Sequence, residues 1–220
     1  MKKSTLPLVG LLACLCLTSC APVIVGRTPQ PAAPEAWEFS FNAGYPLLSP
    51  YPNDPFNGPV QTPIAQPFNL FLARGVGGNT ELNGTISLSL SPSLRLGGKT
   101  LLVGEPVAVA VDYGASWFPL GNGGYLSDFV FDTGLLFSYP QPGVEPYGAL
   151  RGFGGTSPRS ATDSLRLTGA VTVGADIPAG SGSFFAELTA ATTAFYGAEY
   201  YNAPLPPFGF SIVPALGYRF

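Results

Sequence analysis

Residues 82–96 read LNGTISLSLSPSLRL. Leu82, Ile86, Leu88, Leu90, Leu94 and Leu96 occupy every even position except Gly84 and Pro92, and the odd positions hold Asn, Thr, Ser or Arg. A period of two marks a strand with one apolar and one polar face, because successive side chains leave a strand on opposite sides. The pattern recurs on both sides of this stretch. Val107, Val109, Val111, Tyr113, Ala115 and Trp117 alternate with small or polar residues. Phe129, Phe131, Thr133, Leu135, Phe137 and Tyr139 alternate with Val130, Asp132, Gly134, Leu136 and Ser138, and Leu165, Leu167, Val171, Val173 and Ile177 with Arg166, Thr168, Thr172 and Asp176. Phe184, Leu188, Ala190 and Tyr196 share one face, as do Phe208, Phe210, Ile212, Leu216, Tyr218 and Phe220. Residues 37–45, 68–74 and 146–153 are weaker candidates; the last mixes both faces, so its Arg151 takes no orientation from the pattern.

Composition narrows what such strands build. The 220 residues are 46% hydrophobic and only 10% charged, against about 25% charged in an average soluble domain. That is too apolar for disorder, yet no apolar run reaches the roughly 20 residues of a membrane helix. Strands apolar on alternate residues reconcile the two, as in a membrane β-barrel. The 28 glycines and 24 prolines suit turns and strand ends rather than helices. The polar faces are rich in Gly, Ala, Ser and Thr, which a narrow lumen requires. Tyr45, Trp117, Tyr139, Tyr196, Tyr218 and Phe220 lie near strand ends, where barrels carry aromatic girdles.

The amino terminus reads as an address. Lys2 and Lys3 precede a short apolar stretch at residues 6–17, the pattern of a secretory signal peptide spanning 1–19. Leu17-Thr18-Ser19-Cys20 resembles the lipobox of bacterial lipoproteins. The resemblance implies cleavage before Cys20 and a lipid on its thiol; an ordinary signal peptide cut nearby is the alternative. Residues 20–35, with four prolines, read as an extended tether between that lipid and the body. Loss of Lys2 and Lys3 leaves eight basic against thirteen acidic residues, a balance that argues against nucleic acid as a partner.

The last residues are Pro-Ala-Leu-Gly-Tyr-Arg-Phe. A final Phe220 with Tyr218, Leu216 and Ile212 on one face resembles the terminal strand of bacterial outer-membrane barrels. In that family the assembly machinery reads this strand, which implies an assembly signal at Tyr218 and Phe220. The resemblance covers about residues 37–220 and is one of architecture. It implies an all-β, antiparallel, up-and-down transmembrane barrel over residues 36–220, with membrane lipid and the assembly machinery as partners and the outer membrane as location. Counting back from Phe220, short turns fall at 178–182, 140–145, 103–105 and 75–79, and longer loops lie between them. A bend near residues 89–92 then gives ten strands. Eight is the alternative, with 82–96 as one long strand and 37–45 outside the barrel. The proline-rich loop at 46–65 is a stiff cap over the mouth or a site for an extracellular partner.

The sequence holds no histidine. That excludes Ser-His-Asp and Cys-His catalysis and histidine metal sites. It counts against an enzyme, and against the barrel phospholipases, proteases and lipid A deacylases, whose families use a catalytic histidine. Gly75-Val76-Gly77-Gly78 lacks the lysine of a phosphate loop and reads as a turn. No metal or other cofactor is expected. The parity of the strands turns Glu38, Asp112, Asp132, Asp176 and Glu187 inward, with Arg95, Lys99, Arg166 and Arg219. Five acids and four bases form a salt-bridge network filling a narrow lumen, or else a cation-selective constriction or paired carboxylates for acid catalysis. At eight to ten strands side chains nearly fill the interior, which favours the network. The expectation is a structural or interaction lipoprotein barrel, closed to solutes. A narrow channel or small-molecule carrier, and a soluble periplasmic β-sandwich that binds ligand between its sheets, are the alternatives.

Cys20 can be tested directly. Labelling with a radioactive fatty acid should mark the wild type and not Cys20→Ser; equal labelling of both would contradict a lipid at this thiol.

Overall fold

The computed structural model describes residues 25–44, 53–54, 58–59, 68–88, 92–118, 128–157, 164–196, 199–200, 203–204 and 208–220. The signal peptide and Cys20 lie outside this set. The strands are β1 (Trp37–Gly44), β2 (Asn53–Asp54), β3 (Gly58–Pro59), β4 (Phe68–Gly77), β5 (Thr80–Leu88), β6 (Ser93–Val103) and β7 (Ala108–Phe118). They continue as β8 (Asp128–Ser138), β9 (Glu145–Ser157), β10 (Ser164–Ala179), β11 (Gly182–Tyr196), β12 (Glu199–Tyr200), β13 (Ala203–Pro204) and β14 (Phe208–Arg219).

Ten of these close into one barrel in the order β1-β14-β11-β10-β9-β8-β7-β6-β5-β4, and the two-residue pairs β2/β3 and β12/β13 lie outside it. Every described barrel pairing is antiparallel. The period-two stretch at 82–96 is split, as the ten-strand count requires: β5 ends at Leu88 and β6 begins at Ser93. Residues 37–44 are a barrel strand, and β1 closes the seam against β14 with Phe41 opposite Tyr218. The β4–β5, β6–β7, β8–β9 and β10–β11 connections are short and share the end at which β1 starts and β14 stops. Gly78 and Gly180 take left-handed φ values of 49° and 64° in two of these turns, a conformation glycine adopts without steric cost.

The faces follow the alternation. Val173 is 60% exposed and its chain neighbour Thr172 1%. Phe131, Leu135, Leu82, Leu96, Val171, Phe184, Leu188 and Leu216 all point outward and are exposed. Inside stand Ala73, Ala108, Ala110, Ala149, Ala191, Ser87, Ser116, Thr172 and Thr189. A belt of this size is far beyond the apolar patches of soluble monomers. At the closing seam, Tyr218 meets Phe184 and Phe220 edge-on, each at 4.7 Å between ring centres. Its hydroxyl donates to the Ala179 carbonyl at 3.1 Å. Thus Tyr218 and Phe220 belong to an outward aromatic cluster that also includes Phe39 and Phe41.

In bilayer-reconstituted protein, spin labels at 88 and 173 should be relaxed strongly by lipid-soluble oxygen and a label at 172 should not. The opposite pattern would invert the face assignment.

Candidate functional site

Three layers of polar side chains meet inside the barrel. The layer farthest from the short-turn mouth is built by β5, β6, β7, β8 and β9. Arg95 forks onto Asp132, Nε to Oδ2 at 2.9 Å and Nη2 to Oδ1 at 2.7 Å, and donates from Nη2 to Asp112 Oδ2 at 3.1 Å. Its Nη1 donates to Asn83 Oδ1 at 2.8 Å. Arg151 donates to the same two carboxylates, at 3.1 Å to Asp112 and 2.5 Å to Asp132. All four charged residues are buried. Two arginines on two aspartates make a neutral quartet, as desolvated ions require. The guanidinium groups fit because glycines face them. A Cβ on Gly114 would lie 2.7 Å from Arg95 Cζ, and one on Gly134 would lie 2.6 Å from Arg151 Cγ.

The second layer holds a segment that sequence reading treats as a free tether. Val25, Gly26, Arg27, Thr28, Pro29 and Ala32 are buried within the lumen. The described part of the tether therefore crosses the barrel interior before β1 begins. Glu187 Oε1 accepts the backbone N–H of Val25 and its Oε2 that of Gly26, both at 2.8 Å, and Oε2 also accepts the Tyr147 hydroxyl at 2.8 Å. Lys99 Nζ donates to the carbonyls of Thr28 and Gln30 at 2.9 and 2.5 Å. Glu81 Oε2 accepts the Ala32 N–H at 2.8 Å, faces Lys99 at 3.5 Å and pairs with Arg27. The Arg27 guanidinium lies 4.1 Å over the Phe71 ring. Val25 packs in a buried cluster with Leu136, Tyr147, Ala149 and Phe185. At the short-turn mouth Glu35 donates to the Gly75 carbonyl at 2.9 Å.

The third layer lies at that mouth. Arg219 pairs with Asp176, approaches Glu38 at 3.9 Å and donates to Ser183 Oγ at 3.2 Å. These residues line a cleft of about 340 Å³ with Glu145 and Ser181.

Of the inward charges expected from parity, Arg95, Asp112 and Asp132 come together in the quartet. Lys99 and Glu187 hold the amino-terminal segment, and Glu38, Asp176 and Arg219 meet at the mouth. The Arg166 side chain lies outside the described residues. Sequence reasoning missed Glu81, Arg151, Arg27 and Tyr147. Glu81 sits one residue before Leu82, on the inward parity, so the alternation already placed it. Arg151 needed the register, which sets it opposite Gly134. Arg27 carried no periodic signal, because it lies in a proline-rich run. Among the described residues no group of three or more His, Cys, Asp or Glu side chains could hold a metal.

No protein-family model matches the chain, and no curated protein matches it. Among solved structures, the crystal structure of the N-terminal β-barrel domain of Pseudomonas aeruginosa OprF is similar over 85% of this chain and 98% of that one, at 12% identity and a TM-score of 0.31.

Removing one member of the quartet leaves buried charge without its full partner set. Arg95→Met should destabilise the barrel by about 3–5 kcal/mol, read from urea unfolding in micelles. A loss below about 1 kcal/mol would mean that the lumen is wet and the pairs are screened.

Proposed function

We propose that this protein is a closed, lipid-anchored β-barrel of the bacterial outer membrane, with a structural or interaction role in the envelope and no enzymatic one. The observation that carries the closure is the occupied lumen: residues 25–32 cross it beneath the Arg95–Asp112–Asp132–Arg151 quartet. Barrels of this strand number have interiors that side chains nearly fill, and here a length of main chain is added.

The membrane location rests on the outer surface, where Leu, Val, Ile and Phe, with aromatic Trp and Tyr, dominate the outward positions of the described barrel strands. In water such a surface would drive association; against hydrocarbon it is the favourable one. Export and the lipid anchor rest on residues 1–20. Cys20 precedes Val25 by five residues, a reach of at most about 17–18 Å. Glu187, which holds Val25, is five residues along β11 from the short turn at 180–181. At about 3.3 Å per residue and a tilt near 40°, that end of the barrel is about 13 Å away. The short-turn end of the barrel therefore lies within the span of residues 20–25, which supports an anchor on that side. In the outer-membrane reading that is the periplasmic side.

Planar-bilayer recordings of the full chain should show no stable large conductance. Large, steady channels from pure monomer would refute the closed reading and favour a pore.

A further inference from the structure

The upper and lower halves of the lumen solve the same electrostatic problem differently. In the quartet, wall charges neutralise wall charges. Lower down, three wall charges are turned onto main-chain atoms of residues 25–32. Glu187 takes two consecutive N–H groups, Lys99 takes two carbonyls and Glu81 takes one N–H. Five main-chain atoms are thus held by three polar side chains of the wall, each through direct hydrogen bonds of 2.5–2.9 Å. A wall evolved only to be filled has no need of this; apolar side chains would serve as well.

The pattern of carbonyls fits an extended peptide. Thr28 and Gln30 each precede a proline, which restricts both to extended backbone. Alternate carbonyls of an extended chain point the same way, so one ammonium reaches both. Prolines also lower the entropy lost when the chain is ordered. Three positions add selectivity. Val25 enters the Leu136, Tyr147, Ala149 and Phe185 cluster. Gly26 has φ of 55°, and a Cβ there would lie 2.8 Å from the Phe185 ring. Arg27 pairs with Glu81 over Phe71. The wall itself carries seven inward acids (Glu38, Glu81, Asp112, Asp132, Glu145, Asp176 and Glu187) against four bases (Arg95, Lys99, Arg151 and Arg219) among the described residues. It therefore favours a cationic ligand.

We propose that the lower lumen is a peptide-binding site, and that residues 25–32 are its resident ligand, held in cis. The site takes an extended peptide that carries an apolar residue, glycine and arginine in that order, followed by proline-restricted backbone. This deepens the closed-barrel reading and rests on it: the closure is a bound ligand rather than a fixed part of the wall.

The test uses the full chain in the Cys20→Ser background, so that no lipid retains a released fragment. A protease recognition sequence is inserted between Glu35 and Ala36, both exposed at the short-turn mouth. After folding in micelles and cutting, a fluorescent synthetic peptide with the sequence of residues 22–35 is added and its anisotropy followed. The peptide should bind saturably and displace the cut fragment. Peptides carrying Arg27→Ala or Gly26→Ala should bind at least about tenfold more weakly, and neither change touches the folding of the barrel. Glu187→Gln in the barrel should weaken the parent peptide similarly. Absence of saturable binding overturns the proposal, and so does equal binding of the substituted peptides. A fragment that no peptide displaces is a structural strand and overturns it as well. Conductance of the uncut protein is recorded in parallel. Steady channels there sink the closed-barrel reading itself, whereas a silent uncut barrel that fails to bind peptide sinks only this inference.

Discussion

The pairing of Arg95 and Arg151 with Asp112 and Asp132 sets the terms for the rest of the barrel. An unpaired ion in a dry interior costs several kcal/mol, and a charge removed from a buried pair leaves its partner exposed to that cost. The quartet needs β6, β7, β8 and β9 in one register, because Arg151 must stand beside Asp132 across a strand and Arg95 must reach past β7. That register in turn demands room. Gly114 and Gly134 supply it, and the same arrangement repeats where Tyr147 covers Gly174 and Phe185 covers Gly217. Small residues on the inward face are thus the counterpart of a few large ones, which pack over the gaps on neighbouring strands.

Below the quartet the wall is incomplete without residues 25–32. Take that segment away and Glu187 is left with the Tyr147 hydroxyl and Lys99 with Glu81 among the described residues. Closure and charge balance therefore come from the same few residues. The route of the segment across the lumen also explains the alternation of carbonyl and proline at 28–31, which a free linker would not require. A chain that leaves the lumen at the mouth then enters β1 with its first turn anchored on Gly75, so the plug and the closing seam are continuous.

Much of this was legible in the sequence, and the exceptions have physical causes. Period-two alternation read β5 to β8, β10, β11 and β14 correctly because each presents one apolar face to the outside and one small or polar face to a crowded interior. Turn lengths counted ten strands, since a meander must alternate its connections. Strand β9 resisted, because its outward positions include Gly148, Gly152 and Gly154 while its inward ones include Tyr147 and Phe153. The reason appears in three dimensions: a Cβ on Gly148 would lie 2.4 Å from the Phe137 ring, which covers the gap from the next strand. An aromatic on one strand thus hides the apolar character of another, and no single-strand pattern can register that. Residues 25–32 resisted for a different reason. Hydrogen bonds made by main-chain atoms leave no trace in side-chain periodicity, so a ligand-like segment and a linker have the same composition. Arg27, which pairs with Glu81, adds a cation to a wall whose inward acids outnumber its bases.

Residue-resolved hydrogen exchange at Val25, Gly26 and Ala32 tests the occupied lumen most directly. Their N–H groups donate to Glu187 and Glu81 in the interior, so the account predicts slow exchange, comparable to that of the flanking β1 and β4 amides. Exchange of these three at the rate of an unstructured chain, with the strands still protected, would show that the segment lies outside the barrel and would contradict the account.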